Sequence, residues 1–408
     1  MLPSTRRRSY LAAVAATGLA GCAGWLPGGD DADENTEPAD RRVRRIPEPG
    51  ADEWFRSTRS FANDVVAPEA TPPREAPSER WSEATAEPVR SIAVADGRVY
   101  VGTRETVVAV DLADGSREWE TDDGSGFLSV VDGRCYTRSE AGVTALDAET
   151  GDREWRYETD LVGRDPVEFD GTVYVTVGDG LRGLHADTGE PRWTVDGAGP
   201  HGALAIADGT VHWTTTDAHR LLELAGPEPP VERSEIPLYG YESVVRPVPP
   251  AVDDSTIALG GYEEGDRGGA PVRLLSTRGA VWSRPFERAV QTPALVEDRV
   301  LAAGYDNGSD ALEESTVASF DRETLETNWE TTVPEPVGPP AVADGTIYLG
   351  GSHPTERRAV TGRLFALDAE TGDLRWERET DAGFAGHPLA LVDDAIVLGT
   401  REGIVALE

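Results

Sequence analysis

Lysine is missing from this chain: its 38 basic residues are all arginine, against 74 acidic residues and a formal net charge of −36. Such an excess of carboxylate excludes a nucleic-acid surface, which needs cations for the phosphates. It suits a protein that stays soluble in concentrated salt, where screening removes most self-repulsion, and a salt-adapted archaeal source is expected. An acidic field that binds a ligand is the rival reading. Cysteine is nearly absent, with Cys22 and Cys135 alone, so no disulfide framework can hold the fold. Long apolar runs are lacking too. The one from Leu11 to Ala20 is too short to span a bilayer. Histidine numbers six, scattered, and neither a Gly-x-Ser-x-Gly elbow nor a phosphate loop occurs.

What the chain does have is a repeat. A tryptophan recurs with a turn signature just ahead of it, as in Ala109-Val-Asp-Leu-Ala-Asp-Gly-Ser-Arg-Glu-Trp119 and Ala145-Leu-Asp-Ala-Glu-Thr-Gly-Asp-Arg-Glu-Trp155. Further copies end at Trp193, Trp329 and Trp376, and Trp81 and Trp282 fall in the same series. About 15 residues after each comes an acidic turn, usually Asp-Gly, followed by alternating apolar residues. Eight such turns occur, at Asp96, Asp132, Asp170, Asp208, Asp253, Glu297, Asp344 and Asp393. The interval of 89 residues between Trp193 and Trp282 is two periods, so one copy near Ile236 to Leu238 has lost its tryptophan. A period of 36 to 49 residues with strand-turn-strand content predicts stacked units, each too small to bury its own apolar face.

The reading is an all-β, eight-bladed propeller of four-stranded antiparallel blades over residues 78–408. Its last unit stops at Ile404-Val-Ala-Leu-Glu408 without a tryptophan strand. The strand around Trp81 is therefore expected to complete that blade, pairing Gly403 to Leu407 and closing the ring. The Asp-Gly pairs are hairpin turns with positive φ. In Asp-x-x-Thr-Gly the Asp and Thr side chains bond local amides and the glycine is left-handed. The tryptophans Trp81, Trp119, Trp155, Trp193, Trp282, Trp329 and Trp376 are expected to wedge between blades as structural aromatics. Cys135 replaces the strand valine found at Val99 one blade earlier, so it is read as a buried, inert small hydrophobe.

The first 21 residues read as a signal peptide. Arg6-Arg7-Arg8-Ser9-Tyr10-Leu11 resembles a twin-arginine export signal, with Arg7 and Arg8 as its pair, and Leu19-Ala20-Gly21-Cys22 matches a lipobox. Cys22 would then be the lipidated first residue, anchoring an extracytoplasmic protein to the cell membrane. Residues 22–77 are rich in Asp, Glu, Pro, Gly and Ala and read as a flexible tether. Within it, Arg41-Arg42-Val43-Arg44-Arg45 is either a contact for anionic headgroups or a solvated run. Asp52 to Val66 stays undecided between a short helix and irregular chain.

The Ala-Leu-Asp-Ala-x-Thr-Gly-x-x-x-Trp unit resembles the repeats of pyrroloquinoline-quinone (PQQ)-like propellers, over about residues 78–408. That superfamily includes quinoprotein alcohol dehydrogenases and non-catalytic propellers such as the outer-membrane assembly lipoprotein, so the motif implies a fold and leaves activity open. The resemblance implies, for the enzymes, adjacent cysteines beside the quinone, a calcium held by Glu and Asn, and an Asp base. This chain has no Cys-Cys pair and no asparagine in a calcium-ligand context. The expectation is a non-enzymatic scaffold, without cofactor or metal, that binds an envelope component or secreted protein and works as a monomer. A PQQ- and calcium-dependent oxidoreductase is the alternative.

Remaining polar features point to no chemistry. His185 takes the turn position of Asp147, and His212 and His219 sit on different strands in a poor arrangement for a metal. Asp306-Asn-Gly-Ser-Asp310 departs from calcium-loop spacing, while Asn307-Gly-Ser309 is a glycosylation sequon. One asymmetry does carry information. The first three units are 36 to 38 residues long and the later ones 44 to 49. In blades five to seven the extra length falls between the second and third strands, at Gly261 to Ala270, Tyr305 to Ser315 and Ser352 to Gly362. Equivalent loops emerge on one face, so these three predict a binding rim, with Tyr262, Tyr305, Arg357 and Arg358 offering aromatic and cationic contacts. Drift in tolerant loops is the competing explanation.

Overall fold

The computed structural model describes residues 48–408 except 57, 61, 125, 140–141, 161–162, 164–165, 179, 198–202, 216–217, 226–227, 238–244, 254–255, 264–271, 277–280, 285–288, 306–313 and 353–360. Arg7, Arg8, Cys22, Asn307, Arg357, Arg358 and the Arg41–Arg45 island lie outside these residues.

Eight four-stranded antiparallel blades form the expected propeller, blades one to seven spanning 91–121, 127–158, 167–196, 203–237, 251–284, 294–333 and 341–380 and blade eight 384–407 with the N-terminal strand. Blade one is typical, with strands Ser91–Ala95, Arg98–Gly102, Val107–Asp111 and Arg117–Thr121 in chain order from the centre outward. Its first turn holds Asp96 at φ 50° and Gly97 at φ 74°. Two consecutive positive φ values give a turn whose twist matches the strands it joins. At the outer turn Asp111 Oδ1 accepts from the amides of Ala113 and Asp114 at 2.7 and 3.1 Å, and Asp147 and Asp368 repeat the pattern. Thr150 and Thr371 accept from the amide two residues on.

Ring closure follows the sequence expectation. Blade eight contains Phe384–Val392, Ala395–Thr400, Gly403–Leu407 and, from the other end of the chain, Glu79–Ala84. Trp81 stands opposite Ala406 and Ala84 opposite Gly403.

The tryptophans clamp one blade to the next by a repeated device. Trp81 donates its indole N–H to the carbonyl of Leu112 in blade one (2.9 Å), Trp119 to Ala148 in blade two (3.1 Å), and Trp155 to Ala186 in blade three (2.7 Å). Trp329 of blade six likewise reaches Ala369 of blade seven. Each ring lies on the left-handed glycine of the neighbour's outer turn. A Cβ on Gly115 would come within 2.6 Å of Trp81, and one on Gly189 within 2.4 Å of Trp155. The glycine is thus needed twice, for its φ and for the ring that covers it. Within a blade the tryptophan also needs a small partner. Ala109, Ala145 and Ala366 face Trp119, Trp155 and Trp376 across the strand pair.

Blade four departs from this pattern. Its strands are Ala203–Ala207, Thr210–Thr214, Ala218–Ala225 and Glu228–Pro237. The lost tryptophan was expected near Ile236 to Leu238, but the register places Ser234 there, opposite Leu221. Leu221 stands where other blades have alanine, so large and small have exchanged strands and leucine restores part of the volume that the tryptophan filled. Ile236 instead faces His219.

The second departure concerns the tether. The described residues of 48–77, read as flexible chain, are packed into the propeller, and those of 52–66 form no helix. Trp54 exchanges two backbone hydrogen bonds with Val94 of blade one (2.7 and 2.6 Å), and Phe55 accepts from Val130 of blade two. Ala62 accepts from Val252 of blade five and Val65 from Val342 of blade seven. Asp393 of blade eight donates to Ala51. The segment therefore runs against the innermost strands of blades one, two, five and seven, at their Asp-Gly ends. Trp54 (1% exposed) and Val65 (2%) are buried there. Composition misleads because such a stretch cannot build a core of its own, yet it can complete one that the blades supply. Further along, the carbonyl of Arg74 accepts the indole N–H of Trp376 at 2.8 Å, replacing the outer-turn carbonyl that the split blade eight lacks.

Candidate binding face

In an antiparallel blade the Asp-Gly turn and the outer turn share one face. The link between second and third strands shares the opposite face with the link between blades. That second-to-third link spans 103–106 in blade one, 178–179 in blade three, 215–217 in blade four and 401–402 in blade eight. In blades five, six and seven it spans 260–271, 306–314 and 353–361. The long links thus occur in consecutive blades, and their roots lie on one face, opposite the Asp-Gly turns.

Their roots are structured. Gly261–Glu263, the start of the blade-five link, pairs with Val245–Pro247 and then, through Gly261 and Val290, with Ala289–Val290 leading into blade six. Ala289–Val290 pairs in turn with the end of Arg299–Tyr305. A continuous sheet therefore bridges blades five and six on this face. Gly260 permits the approach, since a Cβ there would lie 2.6 Å from the Gln291 carbonyl oxygen. The sheet brings Tyr262 and Tyr305 onto strands separated only by Ala289–Val290. Tyr305 is half-buried opposite Ala289 and Ser315.

A charged cluster without any signal in the sequence stands at the foot of the blade-seven link. Arg363 lies 3.5 Å from Glu335, 3.4 Å from Glu379 and 3.7 Å from Glu377, with its guanidinium 6.0 Å from the Phe365 ring centre. Glu335 comes from the link between blades six and seven and the others from blade seven, so only folding assembles them. Ser315 Oγ accepts from the Val337 amide (2.9 Å), fixing that link against blade six. Three carboxylates around one guanidinium leave this edge acidic.

The sites considered and set aside behave as structural groups. His185 Nδ1 accepts from Arg192 Nε at 2.8 Å beside its turn. Cys135 is fully buried, and burial pushes its thiol well above the ordinary range. His212 and His219 are closer than their spacing suggested, with ring centres 5.6 Å apart on one side of blade four. Burial holds His212 down at about 4 and His219 well below its ordinary value. His219 Nδ1 is bonded to Thr214 Oγ1 (2.8 Å). Among the described residues no three His, Cys, Asp or Glu side chains converge as metal ligands.

The family model described as outer membrane protein assembly factor BamB matches residues 74–165, 139–226 and 313–408. The unmatched stretch between them starts in blade four, which lacks its tryptophan, and takes in the long links of blades five and six. No curated protein matches the chain. Among solved structures, BamB from Moraxella catarrhalis is 17% identical with a TM-score of 0.62, covering 81% of this chain and 99% of that one. Quinohemoprotein alcohol dehydrogenase from Comamonas testosteroni is 12% identical with a TM-score of 0.65, covering 88% and 81%. The computationally designed Ika8 protein is 15% identical with a TM-score of 0.65, covering 81% and 99%. At such identities the likeness establishes the fold.

Proposed function

Given that the chain belongs to the family described as outer membrane protein assembly factor BamB, we propose that it is an exported, lipid-anchored, non-catalytic scaffold. It captures an envelope component or secreted protein on the face of the long links. The observation that carries this reading is the clustering of those links in three consecutive blades, with the bridging sheet beneath them. A rigid ring presents them at fixed positions, and loops so held are where binding residues concentrate. Export and anchoring rest on the Arg7-Arg8 pair and Cys22.

The likeness to a quinohemoprotein dehydrogenase favours a second reading, a PQQ-dependent oxidoreductase. The residues fit that cofactor poorly. Cys135 has no neighbouring cysteine, and the segment holding Trp54 and Val65 lies against the innermost strands of blades one, two, five and seven. Titrating the full-length protein with PQQ and calcium separates the two. The scaffold reading expects no bound-quinone absorbance and no dye-linked oxidation of alcohols. A saturable bound spectrum with turnover would replace it with the enzyme.

A further inference from the structure

Blade four is the weak point of the tryptophan clamp on both of its sides. On the blade-three side, the buried indole N–H of Trp193 has no hydrogen-bond partner among the described residues, unlike that of Trp119 or Trp155. The outer turn that would receive it has been replaced: blade four joins its last two strands across Gly226-Pro227 in place of Asp-x-x-Thr-Gly. On the blade-five side no indole projects at all, because Ser234 holds the tryptophan position. His212 and His219 lie on that same side, in register with Leu221 and Ile236. Two imidazoles therefore sit in a seam that elsewhere holds a Tyr-Trp pair, as with Tyr100 and Trp119.

Asn63 of the N-terminal segment reaches this seam and is fully buried. Asn63 donates from Nδ2 to the Leu204 carbonyl of blade four (2.8 Å) and to the Pro250 carbonyl at the entry to blade five (2.9 Å). Its own oxygen accepts from Thr58 Oγ1 at 2.7 Å, which leaves the amide one orientation. Asn63 has φ 57°, a left-handed conformation that asparagine tolerates better than most residues. Next to it, Ala62 accepts from the Val252 amide of blade five. Both N–H groups of one amide thus join the two blades where the indole does not.

We propose that residues 48–67 act as an internal strap whose Asn63 latches blade four to blade five in place of the missing tryptophan clamp, so that releasing the strap opens the ring at blade four. The seams clamped by Trp81, Trp119, Trp155, Trp329 and Trp376 keep their indole bonds and stay closed.

Hydrogen exchange of the full-length protein, read by blade, tests this with two variants. Asn63→Gly keeps the left-handed backbone and removes both donors. Asn63→Asp keeps the size but turns an acceptor toward two carbonyls. Exchange of the strands within 203–237 is expected to rise roughly ten- to a hundredfold in Asn63→Gly, and more in Asn63→Asp, while blades one, two and seven change little. If Asn63→Asp fails to fold, Asn63→Gly alone decides. A rise spread evenly over all blades, a rise beginning in another blade, or no rise in 203–237 would each overturn the proposal.

Discussion

Removing residues 78–86 is expected to abolish the single cooperative unfolding transition of the propeller. The deleted strand is the outer strand of blade eight, supplied by the chain just ahead of blade one. Its loss removes five register pairs with Gly403–Leu407 and the two bonds between Ser78 and Glu408 at 2.8 and 2.9 Å. It also strips the Trp81 ring from Gly115 and the Arg117–Glu83 ion pair from the first seam. The tryptophan alone represents about 3–5 kcal/mol, a large part of the 5–15 kcal/mol typical of a folded domain. Denaturant unfolding in concentrated salt measures it, with Trp81→Ala as the milder variant, expected to lower stability by about 3–5 kcal/mol. A Trp81→Ala midpoint equal to that of the parent would remove ring closure from the account.

The second large effect concerns location. Cys22→Ser is expected to move essentially all of the protein from the membrane fraction to the medium, or to leave an uncleaved precursor. One acyl chain gives only marginal membrane binding and stable anchoring needs a second signal. A processed Cys22→Ser protein that still partitions with membranes would therefore show that the Arg41–Arg45 island or a partner holds it there. Fractionation with immunoblotting distinguishes these outcomes. Replacing Arg7 and Arg8 together by lysine tests the route separately, with the precursor expected to accumulate inside the cell.

The fold was legible because its determinants are local. An Asp-Gly turn announces itself in two residues and an outer turn in five, and the tryptophan sits at a fixed distance from both. Counting them yielded eight blades and the closing strand. Pairing by size was not legible. That Leu221 and Ser234 exchange volumes depends on which residues face each other across two strands, and a bulge shifts that register. The strap was hidden for a related reason. Trp54, Phe55, Asn63 and Val65 are too sparse to suggest a core, and their value appears only when eight inner strands converge around them. The proposed binding face was half visible. Link lengths pointed to it, but the bridging sheet needs Gly260 and Gly261 to meet Val290, and the Arg363 cluster draws its carboxylates from blade seven and from the link ahead of it.

The measurement closest to the central claim is capture by a protein whose three long links are trimmed to the blade-one length, where residues 103–106 suffice. The trimmed and parent proteins would be compared for unfolding midpoint and for cross-linked partners recovered from the solubilised envelope. The account predicts an unchanged cooperative transition and loss of the partners that the parent retains. Recovery of the same partners by the folded, trimmed protein would contradict it and move the binding surface to the Asp-Gly face.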